Sequence, residues 1–258
     1  ERGRRMLSVI IYAQLLLLAI PYVAVALAAL LISGICCGFR PPAIRRIMRR
    51  LILGLGHLVV RAAIRPWVRV IVVDSGTGKT VPEGAVCICN HRSASDAFLV
   101  SQIRTVHPAA QAMKGWPMRL PILGWCAKVG GYFSVADSSY EESLEFCRKL
   151  LIEEKTAIFV YPEGTRSGSR EINQFHGTFF RIAKDLGVPI VPVAIAGNEN
   201  IPDRKFRMHR GTVLMKQLPA ISAETVRNTA LYTLKNQVRK QLEAATAELD
   251  NRLDDHEF

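Results

Sequence analysis

The stretch Ala85-Val86-Cys87-Ile88-Cys89-Asn90-His91-Arg92-Ser93-Ala94-Ser95-Asp96 passes directly from apolar to polar residues. Its first five residues are short, β-prone and bounded by Gly84, so they predict a buried strand. Cys87 and Cys89 alternate along it and therefore share one face. After His91 the pattern predicts a helix over 95–103. A strand that hands over to a helix through a polar turn is the unit of an α/β sheet, and functional groups gather at such strand ends.

The same alternation continues along the chain. Val68 to Val73 predicts a strand and Asp74 to Lys79 a turn, with Ala85 to Cys89 returning as its hairpin partner. The turn holds Gly76-Thr77-Gly78-Lys79-Thr80, but the earlier glycine of a phosphate-binding loop is missing and Val81-Pro82 follows in place of a helix. Short strands are expected at 109–113 and 130–135, and a helix over 138–153. A buried strand follows at 157–161, a helix at 175–186, and strands at 189–196 and 212–216. Val226, Leu231, Leu234, Val238, Leu242, Leu249 and Leu253 place one stripe on a long C-terminal helix. The fold class is therefore α/β, a single mixed-sheet domain over 66–258.

Residues 1–65 have a different character. No charged residue occurs from Met6 to Gly38. As one helix, Leu7 to Ile35 would reach roughly 43 Å, more than a hydrocarbon core of about 30 Å. Pro21 near its middle leaves two readings, one tilted helix or a helical hairpin. A signal peptide is disfavoured by the length of the apolar region. Arg40 follows in the break Arg40-Pro41-Pro42, and Arg45, Arg46, Arg49 and Arg50 lie within a predicted interfacial helix over 43–64. Arginines beside an apolar segment attract anionic headgroups and mark the cytoplasmic side. The net charge of +12 finds its explanation there, since no recognised nucleic-acid motif accompanies it. The six cysteines have no disulfide-scaffold spacing, and Cys36-Cys37 at the segment's edge reads as small apolar packing. His107, His176, His209 and His256 have no metal-ligand spacing, so no metal is expected.

Two polar clusters carry the chemistry. His91 and Asp96 lie five positions apart across the strand-to-helix turn. A carboxylate there fixes the imidazole tautomer and leaves the other nitrogen to take a proton. About seventy residues on, Tyr161-Pro162-Glu163-Gly164-Thr165-Arg166-Ser167 follows another strand. Its glycine permits close backbone approach, and its arginine offers a planar cationic fork suited to phosphate. Ser93 and Ser95 lack the Gly-x-Ser-x-Gly elbow of a serine hydrolase.

Taken together, these motifs resemble the glycerolipid acyltransferase family typified by 1-acyl-sn-glycerol-3-phosphate acyltransferase. Four blocks fall in the family's order between residues 66 and 200. Asn90 to Asp96 is similar to its Asn-His-x4-Asp block, and Lys114 to Gly124, with Pro121-Ile122-Leu123-Gly124, to its second. Tyr161 to Arg166 resembles the third block and Val188 to Val193 the fourth.

The resemblance implies that His91 removes a proton from an acceptor hydroxyl while Asp96 orients it. The hydroxyl then attacks the thioester of acyl-CoA or acyl-carrier protein directly, with no cofactor beyond that co-substrate. It implies substrate contacts from Asn90 and Ser93, from Lys114, Pro121 and Gly124, and from Val191 and Pro192. Glu163, Gly164, Thr165 and Arg166 would hold the acceptor's headgroup, usually a phosphate. The expected partners are a lipid bilayer, a lyso-lipid acceptor and the acyl donor, with no nucleic acid. The expected location is a membrane, the inner one in a bacterium. One departure stands out: Asp137 occupies the place of an arginine that closes the family's second block. An acid there repels phosphate unless Lys114, Arg166 or Arg170 compensates. The acceptor expected first is 1-acylglycerol 3-phosphate, with lyso-ornithine lipid as an alternative lyso-lipid. A non-catalytic lipid-binding protein is the other alternative.

Overall fold

The computed structural model describes residues 2–73, 80–113, 115, 117–119, 121–134 and 138–257. Its centre is a mixed six-stranded sheet in the order β1-β6-β5-β2-β4-β3. The strands are β1 (Val68–Val73), β2 (Val86–Cys89), β3 (Ala110–Gln111), β4 (Ile158–Val160), β5 (Ile190–Ala196) and β6 (Gly211–Gln217). Strands β5, β2, β4 and β3 run parallel, β6 runs antiparallel to β5, and β1 runs parallel to β6.

Both faces of the sheet are covered, as a parallel sheet requires. On one face Val86, Ile88, Ile158, Val160, Ala194 and Leu214 pack against four C-terminal helices. These are α5 (Tyr140–Arg148), α6 (Thr178–Leu186), α7 (Ala223–Asn228) and α8 (Leu231–Asp254). On the other face Cys87, Cys89, Phe159, Val191, Val193 and Met215 meet the N-terminal part of the chain. That side is built by α1 (Arg2–Cys36), α2 (Pro41–Leu58), the π-helical turns of Val59–Ile64 and the short α3 (Asp96–Leu99). Cys87 and Cys89 share this face, and burial pushes both thiols upward, so they remain neutral core residues.

Helix α1 continues through Pro21 as one element, so the apolar segment does not fold back on itself. Its antiparallel partner is α2: the Tyr22 hydroxyl donates to the carbonyl of Leu51 at 2.8 Å. Further back, Trp67 Nε1 donates to Gln14 Oε1 at 3.0 Å. Leu7 and Ile11 enter the core, while Val9, Leu16, Leu17, Ile20, Val25 and Ile32 stay exposed. By length and composition, residues Arg5–Cys36 are long and apolar enough to cross a membrane.

The arginine cluster of α2 is divided. Arg40, Arg46 and Arg50 are exposed. Arg45 and Arg49 instead turn inward, each 2.6 Å from one oxygen of Glu154. Arg49 is 2% exposed and also donates to the carbonyl of Gly130 at 3.2 Å. The expected interfacial helix is therefore also a docking element: these two arginines bind the protein and are withdrawn from lipid headgroups.

Other expectations are corrected. Strands β1 and β2 are not hairpin partners; β6 and β5 lie between them. The intervening turn 74–79 lies outside the described residues. Among the described residues, the strand expected over 130–135 is the end of α4 (Pro121–Gly130), followed by a bridge from Phe133 to Ala112, and Val135 lies outside them. The helix expected over 95–103 is shorter, α3 passing into a 3-10 turn at Val100–Gln102. The C-terminal stripe spans two helices because Thr229 is extended. Lys184 of α6 ends α7 there by donating to the carbonyls of Val226, Arg227 and Thr229. The helix expected over 138–153 holds, started by a capping box in which Ser139 and Glu142 bind each other's backbone N–H.

Candidate active site

The site forms where β2 and β5, parallel neighbours, end side by side. Asn90 joins them. Its side-chain amide donates to the carbonyl of Ile195 at 2.9 Å and accepts the Ile195 N–H at 2.8 Å. With no exposed surface, Asn90 extends the β2–β5 ladder by one side chain and sets where the next residue points.

That residue is His91. Its Nδ1 lies 2.7 Å from Asp96 Oδ2. Asp96 is wholly buried at the first position of α3, and its Oδ2 also accepts the N–H of Ser93 at 3.0 Å. Asp96 Oδ1 accepts from the side-chain amide of Asn198, which is itself wholly buried just beyond β5. Burying a carboxylate is costly unless donors surround it, and these donors meet that need. The imidazole is partly exposed and leans on the Tyr161 ring, with centroids 4.5 Å apart. Burial pushes the Tyr161 hydroxyl well above its ordinary value, with Cys89 and Asp96 adding to the effect, so it stays protonated. With Nδ1–H directed at Asp96, Nε2 is the nitrogen left to act as a base.

The second motif docks onto the first largely through backbone. Glu163 is 4% exposed. Its Oε1 accepts the His91 N–H at 2.7 Å and its Oε2 the Asn173 N–H at 2.8 Å. The N–H groups of Ser167 and Gly168 donate to the carbonyls of His91 and Arg92 at 2.8 and 3.2 Å. Glu163 is thus spent holding the loops together. Burial pushes its carboxyl upward, against the pull of the two backbone N–H groups and His91.

Gly164 has φ +66°, and a Cβ there would lie 3.1 Å from the His176 ring. Gly164 and Thr165 face solvent beside it. Arg166 lies over the Phe206 ring at 5.0 Å, and among the described residues it has no carboxylate partner. The neighbouring arginines differ. Arg92 is buried in a bidentate pair with Asp250 of α8 at 2.8 and 2.6 Å. Arg170 is held by Asp254 through two 2.7 Å bonds. Arg170 is thus already neutralised by protein, and Arg166 is the cation of this motif left for an anionic ligand.

The remaining expected site residues are dispersed. Ser93 is buried, and its hydroxyl donates to the carbonyl of Pro202 at 2.8 Å, so it braces the loop after β5. Gly124 is the point where α4 crosses the preceding turn, since a Cβ there would lie 2.2 Å from the Met118 carbonyl. Pro121 is exposed at the start of the same helix. Val191 and Pro192 lie within β5, with Val191 facing the α1–α3 side among Cys87 and Phe159. Lys114 and Asp137 lie outside the described residues.

An apolar cavity of about 220 Å³ opens between α1, α2, α3 and α4, lined by Leu27, Ile52, Ala97, Phe98, Ala127 and Phe159 among others. Ala97 and Phe98 directly follow Asp96, which brings this cavity next to the His–Asp pair. Asn198 and this cavity are the parts that sequence reasoning missed. A lone asparagine after a strand carries no pattern, and the cavity joins elements distant in sequence.

A buried carboxylate, a base it orients and an arginine with no carboxylate partner among the described residues stand at one sheet end: the chain carries an acyltransferase domain, and residues 73–196 match the family described as Acyltransferase. Its curated relatives are of the glycerolipid acyltransferase kind typified by 1-acyl-sn-glycerol-3-phosphate acyltransferase. It is 28% identical over 163 residues to the 1-acyl-sn-glycerol-3-phosphate acyltransferase of Saccharomyces cerevisiae, covering 61% of this chain and 54% of that one. It is 27% identical over 180 residues to the enzyme of the same name from Escherichia coli, covering 67% and 71%. The chain thus spans only part of the curated relatives it matches. The fold is that of the crystal structure of the 1-acyl-sn-glycerophosphate (LPA) acyltransferase PlsC from Thermotoga maritima. The TM-score is 0.76 at 19% identity, over 96% of this chain and 98% of that one.

Proposed function

We propose that this protein transfers a fatty acyl group from an acyl thioester to the free hydroxyl of 1-acylglycerol 3-phosphate, giving phosphatidate. The observation that carries this reading is the 2.7 Å contact from His91 Nδ1 to the wholly buried Asp96. His91 Nε2 takes the proton from the acceptor hydroxyl as its oxygen attacks the thioester carbonyl. The imidazolium, stabilised by Asp96, returns that proton to the departing thiolate as the C–S bond breaks. Catalysis is direct, because Ser93 is buried and bonded elsewhere.

Arg166 supplies the charge for the acceptor phosphate, with Lys114 assigned there by resemblance. The apolar cavity beside Ala97 and Phe98 fits an acyl chain. The exposed apolar face of α1, with Arg40, Arg46, Arg50, Arg61, Arg65 and Arg69 exposed nearby, fits an anionic bilayer. Both substrates carry tails that reside in a bilayer, and the arginines favour its cytoplasmic side.

Asp137 in the second block keeps another acceptor in view, a lyso-lipid without a phosphomonoester such as lyso-ornithine lipid. One assay separates the readings. Purified protein is supplied with a panel of lyso-lipids and either acyl-CoA or acyl-carrier protein, and thiol release is followed. Preferred turnover of lysophosphatidate supports the first reading. Preferred turnover of an amino-acid lyso-lipid replaces it with the second. No release with any pair overturns the enzymatic assignment.

A further inference from the structure

Phe206 lies in the loop between β5 and β6 with φ +58°. A large side chain rarely adopts this left-handed conformation, because its Cβ crowds the backbone. Such strain persists only where neighbouring contacts impose it, and it concentrates where a site needs it. The Asp203 carboxylate accepts the backbone N–H groups of Lys205 and Arg207 at 2.8 and 2.9 Å, and the Phe206 N–H donates to the Asp203 carbonyl at 3.0 Å. The turn is thereby wrapped around one aspartate.

Two further bonds come from α1. The Tyr12 hydroxyl donates to the Phe206 carbonyl at 2.8 Å, and Ser8 Oγ accepts the Met208 N–H at 2.9 Å. Burial does not explain the ring, which is 53% exposed. What it touches is the Arg166 guanidinium, 5.0 Å above its centroid. Arg204, from the same loop, also donates to the Ser167 carbonyl, tying this turn to the motif that carries Arg166.

We propose that Phe206 is a positioning residue that orients Arg166 toward the acceptor's phosphate, and that α1 holds Phe206 in place through Tyr12. The inference rests on Arg166 being the headgroup clamp. It makes the apolar N-terminal helix part of the acceptor site as well as an anchor. A guanidinium on a long stem samples many orientations; a ring beneath it narrows them, and the cation–π attraction holds it there. The strained backbone is what places the ring on that side of the loop.

The test exploits the strain. Glycine adopts positive φ freely, so Phe206→Gly removes the ring while relieving the backbone. Binding of 1-oleoylglycerol 3-phosphate is measured on the full chain in detergent micelles without donor, with 1-oleoylglycerol, which lacks the phosphate, as control. Phe206→Gly is expected to weaken phosphate-ligand binding about three- to tenfold, the range of one cation–π contact. Control binding should be unchanged and the melting temperature unchanged or raised. Phe206→Trp should retain binding, and Tyr12→Phe should weaken it less than Phe206→Gly. In an Arg166→Ala background, Phe206→Gly should add less than about twofold, because contacting residues are not additive.

Equal weakening of both ligands, or full additivity with Arg166→Ala, overturns the positioning role while leaving the clamp intact. Unchanged phosphate-ligand binding in Arg166→Ala alone overturns the clamp, and the positioning role with it.

Discussion

Glu163 Oε1 accepts the backbone N–H of His91 at 2.7 Å, so a carboxylate from the second motif grips the histidine proposed as the base by its main chain. The contact explains how two motifs about seventy residues apart act as one site. The carboxylate spans both loops, its other oxygen holding the N–H of Asn173. The burial of this carboxylate sets a pH dependence, against the pull of the His91 N–H. Burial raises the Glu163 carboxyl above its ordinary value of 4.5. A raised carboxyl binds its proton more tightly in the folded chain than in the unfolded one. Its contribution to stability is therefore fully present below 4.5 and is lost as pH rises through the raised value. Glu163→Gln stays neutral at every pH and accepts only one of the two N–H groups. We expect it to cost about 1–3 kcal/mol near pH 7. The wild-type advantage over this variant should shrink as pH rises through that window, measured by urea unfolding at several pH values.

The His91–Asp96 pair sets an order of severity. His91→Ala should lower kcat on the order of 10²–10⁴-fold with an unchanged circular-dichroism spectrum. Asp96→Asn should cost less, because the base remains and only its orientation suffers. Near-normal turnover by His91→Ala would end the proposed mechanism.

Asn198→Ala leaves Asp96 Oδ1 buried without its amide donor. The expected cost is about 1–3 kcal/mol of stability, together with a fall in kcat at unchanged acceptor KM. A fall in stability alone would make Asn198 a packing residue.

The inward arginines of α2 predict a stability effect remote from the chemistry. Glu154→Ala strands Arg49, whose guanidinium burial already pushes below its ordinary value while Glu154 holds it up. Breaking such a pair costs about 3–5 kcal/mol, and the apolar double variant Arg49→Met/Glu154→Leu should recover most of that. Thermal melts of the single and double variants check both statements.

Ala127 lines the apolar cavity, and Ala127→Phe should fill part of it. The longest acyl chain handled should shorten, while turnover of short-chain substrates is kept. A chain-length series of both substrates reads this out, and an unchanged profile would remove the cavity from the acyl path.

The parts of the molecule that were legible in the sequence share a local cause. Strands β2, β4 and β5 are apolar runs ended by polar turns, and His91 and Glu163 were placed by standing just past two of them. The pairing of β1 was not legible, because local pattern says nothing about which distant strand fills an edge. Helix α4 was hidden by Pro121 and Gly124, which read as loop residues until the glycine's contact with the Met118 carbonyl explains it. The inward turn of Arg45 and Arg49 was hidden because their partner Glu154 is about a hundred positions away. Glu163 showed its acid but not its task, since a headgroup ligand and a backbone clamp have the same letter.

The position of β6 between β1 and β5 has a consequence for the order of synthesis. Val68 sits opposite Gly211, and the N-terminal part of α1 bonds to Phe206 and Met208, so part of the seat of the first helix is made from the last third of the chain. While a ribosome is still delivering the middle of the protein, α1 is complete and has α2 beside it, but this part of its seat does not yet exist. Its apolar surface must wait in some other apolar medium, and β1 and β5 keep open edges until residues 211–217 arrive. A chain halted before that point carries both motifs of the proposed site and still lacks the strand that joins β1 to β5.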